Sequence, residues 1–390
     1  MFRCETRVTI KQNSAGRNKT LYFDFVNEFD ATDTWVDFTN QATVKLPKNI
    51  YVKDQTGKLI YLGGTNKNIG GFSNDNPLFL KGDIISINFG YRYQDKNGNE
   101  FLELPDTPIF SGFITEVMSK KPIELKCEDN MYKLKQLSWP NSTYPASMTW
   151  EAILTKVLTG TGFIVNSLTS TKLGEFTTQN ETIAQVLERV RKDYHLESYF
   201  RGNELRTGAK IYIDSEAVES KFIFQQNIIN DDLTYKRKED VILSAVCYSV
   251  NKNELTTTTK TGKTKTKKER VEILVFWDKK KNDFNYQKKE KGQDYPQNVE
   301  GERKTLYFFD IQSDTELFNK GVDELKKYYY TGFKGKFTTF GIPYVKMGDN
   351  VTLIDNILPE RNGKYKVKGV NYSGGVNGHR QEIVLDYKIQ

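Results

Sequence analysis

Over the first 130 residues, apolar and polar side chains mostly take turns. From Ile84 the chain reads IISINFGYRY, so Ile85, Ile87, Phe89, Tyr91 and Tyr93 fall at every second position. That period places them on one face of a strand, and the DKNGNE that follows supplies a hairpin tip. TPIFSGFITEVMS and PIELKCED continue the alternation. Residues 1–130 therefore predict the strands of a meander or small barrel, not a parallel α/β sheet.

Between about 131 and 215 the period lengthens. Trp150, Ile153, Leu154, Val157 and Leu158 recur at helical spacing behind Thr149, a ready N-cap, and Gly160 and Gly162 end the run. Ile183, Val186, Leu187 and Val190 form a second stripe, with Thr182 and Gln185 placed as a capping box. FIVNS and HLESYF after the two helices predict strands, giving a compact α/β insertion of two helix-strand units. Alternation returns from about 205 in AKIYID, KFIFQQ, DVILSAVCYSV and KTLYFFDI. One more helix, near 314–330, interrupts residues 216–390: Ser313 and Glu316 cap it, and Leu317, Phe318, Val322, Leu325, Tyr328 and Tyr329 keep helical spacing.

The order of signals occurs twice. GDIISI from Gly82 has a counterpart in GDNVTL from Gly348, each a tight turn into an alternating strand. GFITEV from Gly112 leads to IELKCED, and GVNYSG from Gly369 leads to QEIVLDY. Gly-Asp before a strand is also ordinary turn grammar. Read as a repeat, the echo predicts two copies of one β-module on either side of the α/β insertion.

Composition adds limits. The 390 residues include 24 Phe and 22 Tyr, too aromatic for a disordered polymer despite a mean hydropathy of −0.62. No apolar run approaches a membrane span, and MFRCETRVTI has no charged-then-apolar leader, so neither membrane insertion nor ordinary export is expected. Cys4, Cys127 and Cys247 are too few and too scattered for a disulfide framework or a zinc knuckle. Synthesis in a reducing cytoplasm is the expectation.

The formal charge of +7 is uneven: the window 256–291 holds twelve basic and five acidic residues and accounts for all of it. Its sequence predicts a strand, a polar tip and a second strand with Val271, Ile273, Val275 and Trp277 on one face. Lys260, Lys263, Lys265, Lys267, Lys268, Lys279, Lys280 and Lys281 make this ribbon basic. Two readings stand: a solvated edge whose lysines discourage aggregation, or a finger that touches nucleic acid or an acidic protein through unspecific charge attraction.

Signs of catalysis are few. His195 and His379 stand far apart without HExxH spacing; His195 reads as structural, and His379, in the turn GVNGHRQE, reads equally well as an exposed polar group. There is no GxSxG, GxGxxG or complete phosphate loop, since TGKT at 261–264 lacks the upstream glycine. Gly63-Gly64 and Gly70-Gly71 flank a surface loop, and Asp231-Asp232 is one adjacent acid pair among 50 carboxylates. No catalytic residue, cofactor or metal site is assigned, and the chain is not expected to be an enzyme.

Three stretches together resemble a known family. The Gly82-Asp83 strand followed by PIFSGFITEV at 108–117 and ELKCEDNMYKLKQ at 124–136 is similar to the baseplate hub proteins of phage tails, among them the Mu-like hub and late control protein D. The amino-terminal part of the type VI secretion spike protein belongs with them. ETIAQVLERVRKDYHLESYFRGNEL at 181–205 and MGDNVTLIDNILPERNGKYKVKGVNYSGGVNGHRQEIVLDYKI at 347–389 resemble the next part and the closing β-domain of that family. The likeness covers most of the chain; the ribbon at 256–291 departs from it, and the oligonucleotide fold and β-helix needle of fused spike proteins do not follow, which would make any piercing tip a separate polypeptide.

The resemblance implies a mainly β, ring-forming chain with an α+β insertion: a first tube-like β-barrel over 1–130, a small α/β domain over 131–215 and a second barrel over 216–390. It also implies a homotrimer with pseudo-six-fold symmetry, in which a hub joins a hexameric tail tube to a trimeric spike in a phage tail or contractile injection machine. The expected partners are the tail tube protein, the spike, and a tape-measure protein or DNA passing through the lumen. The place is the virion tail, assembled in the host bacterial cytoplasm. Burial of apolar area, at about 25 cal/mol per Å², would supply the affinity. Two other classes remain beside it, a nucleic-acid-binding module using the ribbon and a tail-associated carbohydrate-active enzyme with a cleft of convergent carboxylates.

Overall fold

The computed structural model describes residues 2–14, 16–47, 51–53, 59–61, 77–118, 122–168, 170–238, 243–258, 264–278, 280–289, 295, 302–309, 311 and 313–389. Ten strands come first: β1 (Phe2–Lys11), β2 (Thr20–Phe23), β3 (Glu28–Thr34), β4 (Gln41–Leu46), β5 (Tyr51–Lys53), β6 (Leu59–Tyr61), β7 (Ile84–Gln94), β8 (Glu100–Glu103), β9 (Phe110–Met118) and β10 (Ile123–Glu128). On β7 the alternation read from sequence is real: Ile85, Ile87, Phe89 and Tyr91 are buried, while Tyr93 turns outward and stacks on Phe101.

The α/β insertion holds α1 (Met131–Leu134), β11 (Ser142–Tyr144), α2 (Trp150–Leu158), β12 (Ile164–Ser167), β13 (Phe176–Thr178), α3 (Ile183–Tyr194), β14 (Glu197–Arg201) and β15 (Glu204–Gly208). Both caps form as expected. Thr149 accepts from the Ala152 N–H, and Thr182 and Gln185 close a full capping box. The helices bury Trp150, Ile153, Leu154, Val186, Leu187 and Val190 in one core, and the Trp150 indole donates to Thr207 on β15 at 3.1 Å. AKIYID, expected as a strand, is instead an irregular stretch: Tyr212 leaves the backbone line to donate to Asp386 at 2.6 Å and to accept from the Trp35 indole at 2.9 Å.

The last third runs β16 (Glu219–Ile223), β17 (Ile228–Lys236), β18 (Leu243–Thr258), β19 (Thr264–Asp278), β20 (Asp283–Lys288), β21 (Glu302–Phe309), α4 (Asp314–Tyr328), β22 (Gly332–Phe340), β23 (Asn350–Ile354), β24 (Gly363–Gly375) and β25 (Arg380–Ile389). Strands β20-β19-β18-β21 form a separate four-stranded sheet with its own core, in which Cys247, Ile273 and Val275 pack against Leu317 and Leu325 of α4. Gly321 lets the helix come this close, since a Cβ there would stand 2.6 Å from the Cys247 sulfur.

All other long strands belong to one sheet, ordered β17-β22-β25-β24-β3-β4-β10-β9-β7-β1-β2-β5-β6. Two halves are visible in it. In the first, six strands pair in the order β1-β7-β9-β10-β4-β3; in the second, the order is β16-β23-β24-β25-β22-β17. Matched by position in the chain these are the same arrangement twice, except that β16 runs parallel to β23 where β1 runs antiparallel to β7. Neither half closes into a barrel through described pairings. Beyond Val367, β24 stays paired with β25 but exchanges β23 for β3 of the other half, so a single apolar core runs beneath both. No helix among the described residues is long and apolar enough to cross a membrane.

Candidate interaction surfaces

The two Gly-Asp turns are built alike down to individual bonds. Gly82 and Gly348 hold φ of +90° and +89°, the left-handed region that a glycine enters without strain. The Gly82 N–H donates to Ile114 and Ile114 donates back to the Asp83 carbonyl; Gly348 and Asp349 make the same pair with Val367. Each aspartate also accepts from the N–H three residues earlier, Leu80 or Lys346, at 2.8 Å, and from a flank of the first strand, Asn13 or Val218. The carboxylate thus replaces missing backbone acceptors at the point where the strand begins.

The turns differ in one respect. Asp83 also takes a two-pronged bond from Arg17, 2.8 Å at each oxygen, with both side chains almost fully buried. Asp349 is hydrogen-bonded by backbone N–H groups and feels the charges of Arg201 and Lys346 without a two-pronged partner. These bonds also set the true alignment of the repeat. Ile114 stands at the position of Val367, so Gly112 matches Tyr365 rather than Gly369, and the second half of the sequence echo is out of register.

Where β24 crosses to β3, His379 is completely buried, contrary to the exposed reading. Its ring packs 4.8 Å from Phe89 and 5.5 Å from Tyr91, and Nε2 lies 3.0 Å from the Thr6 hydroxyl. Burial is the main cause that brings its pKa down to about 4; a backbone contact at Gly90 opposes this and the charge of Arg380 adds to it. Gly374 makes room for the cage, since a Cβ there would lie 2.4 Å from Phe29. His195, by contrast, fits its structural reading: it ends α3 in the left-handed conformation and stacks on Tyr307 of β21.

A cavity of about 440 Å³ opens where both halves meet the α/β insertion. Its carboxylates are already engaged. Asp33 accepts from the Met347 N–H at 3.0 Å and faces Arg201 at 3.3 Å, while Asp349 serves its turn. Asp129 accepts from the backbone of Met131 and Asn40 in full burial, which pushes its pKa up to about 7. Side chains so tethered hold three bodies together. Among the described residues no group of three or more His, Cys, Asp or Glu could hold a metal ion.

The structure places the ribbon lysines unevenly. Lys260, Lys263 and Lys279 lie outside the described residues, as do Gly63-Gly64 and Gly70-Gly71. Lys265, Lys267 and Lys268 stand on β19, where the register sets them opposite Thr257, Leu255 and Glu254 of β18. Lys280 and Lys281 are exposed in the β19–β20 turn, where their backbone N–H groups donate to Asp278. The acid pair Asp231-Asp232 lies exposed on β17, at the end of the large sheet.

No family model matches the sequence, and no curated protein matches it. Solved structures do. The tail protein of Neisseria meningitidis MC58 aligns over 99% of this chain and 97% of its own, with a TM-score of 0.55 at 11% identity. The 43 kDa tail protein of prophage MuSo2 from Shewanella oneidensis aligns over 99% and 98%, with a TM-score of 0.52 at 11% identity. An E. coli component of the type VI secretion system, described as similar to the T4 tail proteins gp27 and gp5, covers 98% of this chain and 77% of its own at a lower TM-score of 0.48 and 8% identity. The chain is similar in fold to phage tail proteins along its whole length.

Proposed function

We propose that this chain is a structural subunit of the baseplate hub in a phage tail or related contractile injection machine. Three copies form a ring, and their six β-modules offer a near-sixfold face to the hexameric tail tube while the ring itself keeps threefold symmetry for the spike. The observation that carries this reading is the repeat: one polypeptide builds the same six-strand arrangement and the same Gly-Asp turn twice. No bond is made or broken in this role, in keeping with a cavity whose carboxylates are tied down. Light scattering on the chromatographed protein should give a mass near three times 45.1 kDa. A strict monomer at high concentration would overturn the proposal.

The basic ribbon serves as an arm for an acidic partner, the tape-measure protein or DNA in the lumen. Changing Lys265, Lys267, Lys268, Lys279, Lys280 and Lys281 together to Gln should abolish the salt-sensitive part of DNA binding, with the slope of log K against log salt falling by about 0.9 for each phosphate that is no longer neutralised. The mass of the ring should stay the same. Binding that survives unchanged would remove this role and leave the ribbon a solvated edge.

A further inference from the structure

We propose that the outer edges of β9 and β17 are two halves of one chain-to-chain junction, filled by a second copy of this chain that repeats between subunits the β24–β3 pairing made within each. This rests on the trimeric ring proposed above and adds which strands meet and in what register.

Within the chain, β24 does two things in succession. Gly363 to Lys366 pair with β23, and Gly369 to Gly375 pair with β3. Its counterpart β9 does only the first: Phe110 to Phe113 pair with β7, and among the described residues nothing pairs with that side of Glu116, Val117 and Met118. The counterpart of β3 is β17, which among the described residues pairs only with β22 and ends the sheet. The repeat therefore leaves one junction unmade, with both of its strands present on every subunit.

The register follows from the same equivalence. Ile114 matches Val367, and each is followed by one extra residue where the pairing with the next strand slips, so Glu116 matches Gly369. On the other side, Thr34 matches Lys236 through the β3–β4 and β17–β22 pairings. The pair Gly369–Thr34 then becomes Glu116–Lys236 between chains, followed by Val117–Tyr235 and Met118–Thr234.

Exposure agrees. Phe29 of β3 is fully buried at the internal seam, whereas Asp231, its counterpart on β17, is open to solvent. Val117 and Ile229 keep 39% and 43% of their surface in solvent on these two edges. An unpaired edge is a standing template for another strand.

The test places one cysteine on each edge of the full chain, in a Cys4→Ser background because Cys4 is exposed. Opposed residues in antiparallel strands hold their Cα atoms about 4.5–5.5 Å apart, within disulfide reach. Oxidation of Met118→Cys/Thr234→Cys should give two- and three-chain bands that collapse on reduction. Met118→Cys/Asn230→Cys, out of reach by about 13 Å along the strand, should stay single. A three-chain mass without these bands, or equal bands from both variants, would overturn the junction and leave the hub reading standing. A monomer in light scattering would overturn both.

Discussion

Replacing Asp83 by Ala should cost about 3–5 kcal/mol, the range for leaving one partner of a buried ion pair behind. Asp83 receives both prongs of the Arg17 guanidinium and two backbone N–H groups. Its removal strands a buried cation together with two unpaired donors. Asp349→Ala at the matching turn strands only the Lys346 and Val218 N–H groups, and should cost about 1–3 kcal/mol. The double variant Arg17→Met/Asp83→Leu should recover only the part due to the stranded charge and settle near the Asp349→Ala loss, since the Leu80 and Asn13 N–H groups stay unpaired. Urea unfolding at neutral pH would measure all three. Equal losses at the two turns would show that Arg17 adds nothing.

Local order was legible in the residues, and distant pairing was not. The caps at Thr149 and Thr182 and the stripe of α3 could be read directly, because a helix is specified by neighbours within four positions. The strands of β7 and β19 were legible for the same reason. What a strand pairs with is set far away, which is why the crossing of β24 to β3 and the free edges at Val117 and Ile229 carried no signal in the sequence. The echo was visible in the order of its elements, yet it was aligned on the wrong glycine. The shared Gly-Asp turn opens the fourth strand of each copy, β7 or β23, but the connections from there to β9 and to β24 differ in length. AKIYID alternates like a strand, and its Tyr212 is used instead to fasten the insertion to Asp386 and Trp35. The ribbon was legible as a hairpin, though not that β21 and α4 would complete a sheet and core around its base.

His379 shows how such a distant contact makes the fold answer to pH. Its cage is assembled from β1, β3 and β7, hundreds of residues upstream, so nothing near GVNGHRQE announced it. With a folded pKa near 4 and an ordinary value of 6.5, the native state binds fewer protons than the unfolded chain between those limits. Stability is then complete above about pH 6.5 and is lost as pH falls through 4, by about 3 kcal/mol at 1.36 kcal/mol per pKa unit. Asp129 works in the opposite sense: with its pKa raised to about 7, it withdraws stability as pH rises from about 4 to 7. The two partly cancel in the native protein, and only a comparison separates them. His379→Gln should be less stable than the native chain at pH 7, because the aromatic cage loses its filling, but it should lose about 3 kcal/mol less on going to pH 4. Asp129 is common to both proteins and drops out of that difference. Parallel stability curves for the two proteins between pH 7 and 4 would mean that the histidine titrates in the folded protein as it does in water, and that the cage between the two β-modules does not exclude its charge.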